Sequence, residues 1–123
     1  GKYSDGTPQS CYDTFIGDNK EKYDWYCYIF DKEETFSSVI YNEGSHFDNG
    51  GWFDGKLEIQ ILRDGEWQSI EYGGDEYLGI SWITNGNSVF TFTFDEVTAE
   101  GVRIYGKGGG SAGFVSVGEL QIY

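Results

Sequence analysis

Polar and apolar positions alternate in short runs along most of the chain. Trp25 to Phe30, Thr35 to Asn42, Leu57 to Arg63, Glu66 to Glu71, Ser88 to Phe94, Gly101 to Gly106 and Phe114 to Tyr123 each carry β-branched or aromatic residues at near-alternate positions. That is the period of a strand with one buried face. Residues Gly1 to Lys22 are polar and turn-rich, and only Ser10 to Ile16 reads there as a short strand. Arg63-Asp64-Gly65-Glu66 sets the Asp-Gly pair of a tight hairpin between Leu57, Ile59 and Ile61 on one side and Trp67 and Ile70 on the other. Seven or eight short strands predict an all-β fold: a β-sandwich jelly roll of about eight mainly antiparallel strands.

Two loops interrupt this pattern in a way that bears on chemistry. The first, Glu43 to Gly55, mixes glycines with Phe47, Trp52 and Phe53 and with His46, Asp48, Asn49 and Asp54. The second, Gly106 to Gly113, lies between the strand of Val102 and Ile104 and the closing strand, and is expected to lift Phe114 to the rim of the sheet. A sugar ring has an apolar face of C–H groups and a rim of hydroxyls, so its site needs a flat aromatic platform with donors and acceptors around it. Trp52, Phe47 and Phe114 are the candidate platforms; His46, Asp48, Asn49 and Asp54 are the candidate polar partners. Either Trp52 or Phe53 is expected to turn inward, and His46 is either a ligand contact or a hydrogen-bonded loop residue. A further loop, Gly73 to Trp82, has no clear place in the pattern.

Composition narrows the partners. A chain of 123 residues is expected to be one domain, residues 1–123, with a two-layer core. Nineteen glycines, one proline, no methionine and 19% aromatics favour turns and ring-filled sheets. The formal net charge of −13, without any run of Lys or Arg, argues against nucleic acid and anionic membrane surfaces as partners. Neutral ligands and cations stay open, and the acidity by itself also keeps a secreted domain soluble. No segment approaches the roughly 20 apolar residues of a membrane span, so membrane insertion is not expected. The start, Gly1-Lys2-Tyr3, reads as a module excised from a larger chain, and a monomer is the default. Cys11 and Cys27 either form a disulfide or remain buried thiols; their spacing is neither metal-type nor redox-type.

Catalysis finds no constellation. Twenty-one acidic residues make carboxylate pairs inevitable, and a glycosidase needs two held across a cleft. Gly109-Gly110-Ser111-Ala112-Gly113 spells a nucleophile elbow but precedes a strand instead of a helix, and the single histidine lies upstream of Ser111. The same loop lacks the helix dipole of a phosphate cradle. Trp25 and Trp67 read as core or sheet-face residues. Arg103, pointing opposite to Val102 and Ile104, reads as one half of a structural ion pair.

The closing segment carries a family resemblance. Gly101-Val102-Arg103-Ile104 and Ser116-Val117-Gly118-Glu119-Leu120-Gln121-Ile122, together with the Leu57 to Trp67 hairpin, are similar in order and spacing to the discoidin or coagulation-factor type C family. This is the galactose-binding-like β-sandwich that includes family 32 carbohydrate-binding modules, and the resemblance covers about Asp18 to Tyr123. It implies a structural calcium between an early loop of the form D-G-D-x-x-T-x-W and the Glu of the last strand. Asp18 to Trp25 keeps the first Asp and the Trp but has Tyr23 in place of Thr, so Asp18 and Glu119 are the implied side-chain ligands. Alternatively Glu119 accepts hydrogen bonds from the Asp18 loop or pairs with a lysine. The resemblance puts the ligand site on loops at one end, with His46 and Asn49 in the right loop and Phe114 in the last; the arginine of the sugar-binding members has no clear counterpart.

These readings combine into an expectation: a non-catalytic carbohydrate-binding module that targets a secreted or cell-surface multidomain protein, a glycoside hydrolase, to glycans through His46, Phe47, Asn49, Trp52 and Phe114. The alternative on the same fold is a protein–protein adhesion or ancillary interaction domain. Convergence of the His46–Asp54 and Gly108–Phe114 loops discriminates the two.

Overall fold

The computed structural model describes residues 9–13, 23–77, 79 and 86–123. They form seven strands, β1 (Gln9–Asp13), β2 (Tyr23–Glu43), β3 (Glu58–Arg63), β4 (Glu66–Ile70), β5 (Gly73–Gly74), β6 (Val89–Lys107) and β7 (Val117–Ile122), with no helix among the described residues. All pairings between strands are antiparallel.

Two long strands carry the architecture. β2 and β6, of 21 and 19 residues, pair with each other, and the register shifts between Ile29 and Glu34 and again between Phe36 and Ser38. At these irregularities the ribbon passes from one layer of the sandwich to the other. On one side, Tyr23–Ile29 pairs with Gly101–Lys107 in the layer β1-β2-β6-β3-β4. On the other, Ser38–Asn42 pairs with Val89–Thr93, flanked by β7 on β2 and β5 on β6.

The inner faces follow the alternation. Ile59, Ile61, Val102 and Ile104 from the first layer meet Val39, Tyr41, Phe92, Leu120 and Ile122 from the second in one core cluster, all shielded from solvent. Each such side chain contributes on the order of 1.5–3 kcal/mol by burial. At the crossing, Phe36 meets Phe30 and Phe94 edge-on at 5.9 Å.

The structure merges strands that the pattern separates. Trp25–Phe30 and Thr35–Asn42 are the two halves of β2, and Ser88–Phe94 and Gly101–Gly106 lie within β6. The segments between them are paired in part, as in Glu34 with Ala99 and Thr35 with Thr98. Asp31, Lys32, Glu33, Asp95 and Glu96 are exposed, so hydropathy does not register that they lie within β2 and β6. The closing strand begins at Val117, later than the expected Phe114, because Phe114 and Val115 bridge to loop residues Gly109 and Gly51 instead. Of the expected Ser10–Ile16 strand, residues 14–16 lie outside the described residues. The Asp64–Gly65 hairpin forms with φ of 51° and 77°, the left-handed pair its turn requires. Cys27 is disulfide-bonded, and the chain's other cysteine, Cys11, is its register partner across β1 and β2. No helix of the described residues is long and apolar enough to cross a membrane.

Candidate functional site

The strand ends place the loops. Tyr23 pairs with Lys107 and Glu58 with Tyr105 in one layer, while Asn42 pairs with Val89 and Glu43 with Val117 in the other. Loops 44–57 and 108–116 therefore leave the sandwich at the same end, opposite the Asp64–Gly65 turn. There they interlock through the backbone. Gly44 N donates to Ser116 O (2.8 Å), Gly51 N to Phe114 O (2.9 Å), Gly109 N to Trp52 O (2.7 Å) and Ala112 N to Asn49 O (2.9 Å). Asp24, wholly buried, adds a clamp, accepting from Trp25 N at 2.8 Å and from Val115 N at 2.7 Å. The pair of loops is thus preformed, which lowers the ordering cost of binding.

Glycines let the rings approach the backbone. A Cβ on Gly109 falls 2.2 Å from the indole nitrogen of Trp52, and one on Gly50 falls 2.5 Å from the ring of Phe114. Trp52 is half-buried with its face tilted against the His46 imidazole, centroids 5.6 Å apart. Phe53, its neighbour, is the ring that turns into the core, where it meets Tyr41 and Tyr77.

His46 does not face solvent. Its side chain is fully shielded, with Nε2 3.0 Å from Oε2 of Glu43, itself equally shielded. Glu43 also accepts from Ser88 N at 3.3 Å and from the Tyr77 hydroxyl at 3.5 Å, and that hydroxyl accepts from Phe53 N at 2.9 Å. Burial, reinforced by the Glu43 charge, pushes the Tyr77 phenol up, so it stays a neutral donor. This network is a polar post beneath Trp52.

Phe114 is buried, not at the rim, because Phe47 lies over it at 6.1 Å. Phe47 is the ring that reaches solvent, half exposed. Asn49 is partly buried and its side-chain amide makes no hydrogen bond with the described residues. Asp54 and Lys107 form an exposed ion pair at 3.5 Å beside Trp52. The structure therefore brings His46, Phe47, Asn49, Trp52 and Phe114 into one loop cluster but divides them: Trp52, Phe47 and Asn49 outward, His46 and Phe114 beneath. Glu43 and Tyr77 were missed. Glu43 continues the inward alternation of Val39 and Tyr41, and that was a readable signal; Tyr77 sits in the loop that the pattern could not place.

Of the implied calcium ligands, Asp18 lies outside the described residues, and Glu119 is an exposed carboxylate on β7. Among the described residues no three or more His, Cys, Asp or Glu are grouped so that they could hold a metal ion. Arg103 also departs from expectation. Among the described residues its partners are not carboxylates: Nε donates to Gln60 Oε1 at 2.7 Å, and the guanidinium lies over Trp67, Tyr105 and Trp25 at 4.4, 4.6 and 5.3 Å. Trp25 and Trp67 are thus sheet-face residues. Trp82 lies outside the described residues.

No protein-family model matches the chain, and no curated protein does. Solved structures do. The chain is similar to CpGH89CBM32-5 from Clostridium perfringens, solved in complex with GalNAc-β-1,3-galactose, at 17% identity over 96% of each chain with a TM-score of 0.67. It is similar to the family 32 carbohydrate-binding module of C. perfringens NanJ, solved with galactose, at 20% identity over 94% of this chain and 93% of that one, TM-score 0.65. It is also similar to chitosan-binding module 2 of a chitosanase/glucanase from Paenibacillus sp. IK-5, solved with chitotriose, at 15% identity over 95% and 96%, TM-score 0.61. The fold is therefore the galactose-binding-like β-sandwich of carbohydrate-binding modules.

Proposed function

We propose that the chain is a non-catalytic carbohydrate-binding module that tethers a secreted multidomain protein, a glycoside hydrolase, to glycans. The observation that carries this reading is the interlocked loop pair, which presents Trp52 and Phe47 beside an unengaged Asn49 amide on a fold shared with sugar-bound modules. Trp52 and Phe47 stack on the C–H faces of the sugar, and Asn49 exchanges hydrogen bonds with its hydroxyls. His46 and Phe114 hold those two rings in position. The site is shallow and wet, so single-site affinity is on the order of micromolar to millimolar. The disulfide of Cys27 supports an extracellular location. The solved relatives carry ligands as different as galactose and chitotriose, so the fold leaves the sugar open. Calcium belongs to the proposal only through Glu119 and Asp18, as a structural ion.

A glycan array of the isolated domain, run with calcium and with chelator, tests the reading. Binding to one sugar class, lost in Trp52→Ala and Phe47→Ala with the fold intact, supports it. A blank array for a folded domain overturns it in favour of protein adhesion, and undiminished binding by both variants overturns the assignment of the site to Trp52 and Phe47. A fall in thermal stability on chelation identifies the structural ion.

A further inference from the structure

The sandwich has an open edge beside the loop cluster, reached by Gly55 and Lys56 at the end of loop 44–57 and by Tyr77. β4 ends the first layer there, and β5 flanks β6 in the second, so the segment Glu71–Tyr72 crosses the seam between them. Two cavities of about 480 and 530 Å³ open on this seam, and both are lined by Lys56 and Tyr72. They adjoin at these two residues, and each is of a size that holds a small ligand, about 300–1,000 Å³.

Tyr72 is fixed at the centre. Its hydroxyl donates to the carbonyl of Leu57, and its ring meets the buried Phe92 edge-on at 5.1 Å. The ammonium of the exposed Lys56 lies over the ring, 5.7 Å from its centroid. The ring thus already attracts a cation held on a flexible stem. Around it, Glu58, Glu71, Asp75 and Glu76 line the groove against the single ammonium of Lys56. Hydrogen bonds from the Ser69 hydroxyl and the Gln60 amide hold Glu58 below the usual carboxylate range, so it stays charged. Asp75 is anchored by accepting from Thr91 N at 2.8 Å.

We propose that this groove is a second glycan-binding site, selective for linear chains of sugars carrying protonated amines. An aromatic wall and flanking acceptors suit a sugar ring. Uronate or sulfate groups meet four carboxylates, whereas an amino-sugar ammonium is drawn to them and takes the place of Lys56 over Tyr72. The groove continues on both sides of Tyr72, which suits an oligomer better than a single residue. This goes beyond the loop site and uses none of Phe47, Trp52 or Phe114.

The test is titration of the domain with a glucosamine tetramer in mildly acidic buffer, followed by calorimetry and amide chemical shifts. The fully N-acetylated tetramer and an oligogalacturonate serve as comparators. The amine-bearing tetramer is expected to bind at least about tenfold tighter than either. Glu71→Gln with Glu76→Gln, which change exposed side chains, and Tyr72→Leu are each expected to weaken it by about tenfold, whereas Trp52→Ala, outside the groove, leaves it unchanged. Lys56→Gln, which removes the competing cation, is expected to tighten it. Equal affinity for charged and neutral tetramers, no binding by the wild type, or shifts confined to the Phe47–Trp52 loop overturn the proposal. The loop-site reading fails separately, when Trp52→Ala keeps its binding to a neutral glycan.

Discussion

The imidazole of His46 meets the carboxylate of Glu43 at 3.0 Å with both side chains fully shielded from solvent, and the Trp52 ring lies tilted against that imidazole, centroids 5.6 Å apart. The only histidine therefore supports an aromatic ring from beneath instead of facing solvent. His46→Ala is expected to cost about 1–3 kcal/mol in denaturant unfolding, because Glu43 loses a buried partner. It is also expected to weaken glycan binding through a displaced Trp52, and His46→Gln, which keeps a donor, recovers part of both. Full stability and full affinity in His46→Ala contradict this role.

Gly109→Ala tests the same ring from the other side. Its Cβ falls 2.2 Å from the Trp52 indole nitrogen, so the ring or the loop has to move. Thermal unfolding is expected to shift modestly and glycan affinity to fall about tenfold, with changes in Trp52 fluorescence. Unchanged fluorescence and affinity refute the close approach.

Arg103 binds the outer face of the first layer by rings. Arg103→Lys keeps the charge but loses the planar stack over Trp67 and Tyr105 and the bond to Gln60, at an expected cost of about 1–2 kcal/mol. Binding at the Trp52 loops is expected to be unaffected. A substitution neutral in denaturant midpoint rules the stack out as a stabilising element.

Stability is expected to fall at both ends of the pH range, for separate reasons. The bonds from Ser69 and Gln60 depress the Glu58 pKa in the folded state. Its contribution is therefore present above the unfolded carboxylate pKa and is lost as pH falls through the folded value. The group is largely exposed, so the effect is small, and Ser69→Ala is expected to flatten it. At the alkaline end, burial followed by the Tyr26 neighbour raises Tyr28 to about 12, and Tyr41, Tyr72 and Tyr77 are also raised by burial. The folded state holds these protons more tightly than the unfolded chain. Their contribution is thus complete below the ordinary tyrosine pKa of about 10 and is lost as pH rises through the folded values. Phenolate absorbance against pH, alongside unfolding curves, checks both limbs; a tyrosine set that titrates together near the ordinary value refutes the second.

Local chemistry alone determined the all-β class, the Asp64–Gly65 hairpin and the inward alternation of Val102 and Ile104, since turn geometry and strand period are written in neighbouring residues. It also gathered His46, Phe47, Asn49, Trp52 and Phe114 into two loops. Their division into outward and buried members was not legible, because whether a ring faces solvent depends on what the partner loop lays over it: Phe47 covers Phe114, and Trp52 covers His46. Glu43 reads as the start of the loop, and although its inward alternation is legible, its role is not, because Ser88 and Tyr77 come to it from distant parts of the chain to join the nearby His46. The continuity of β2 and β6 was hidden for the same reason. Charged residues at the crossing stay in water although they lie within continuous strands, and only the tertiary structure decides that the two halves of each strand join.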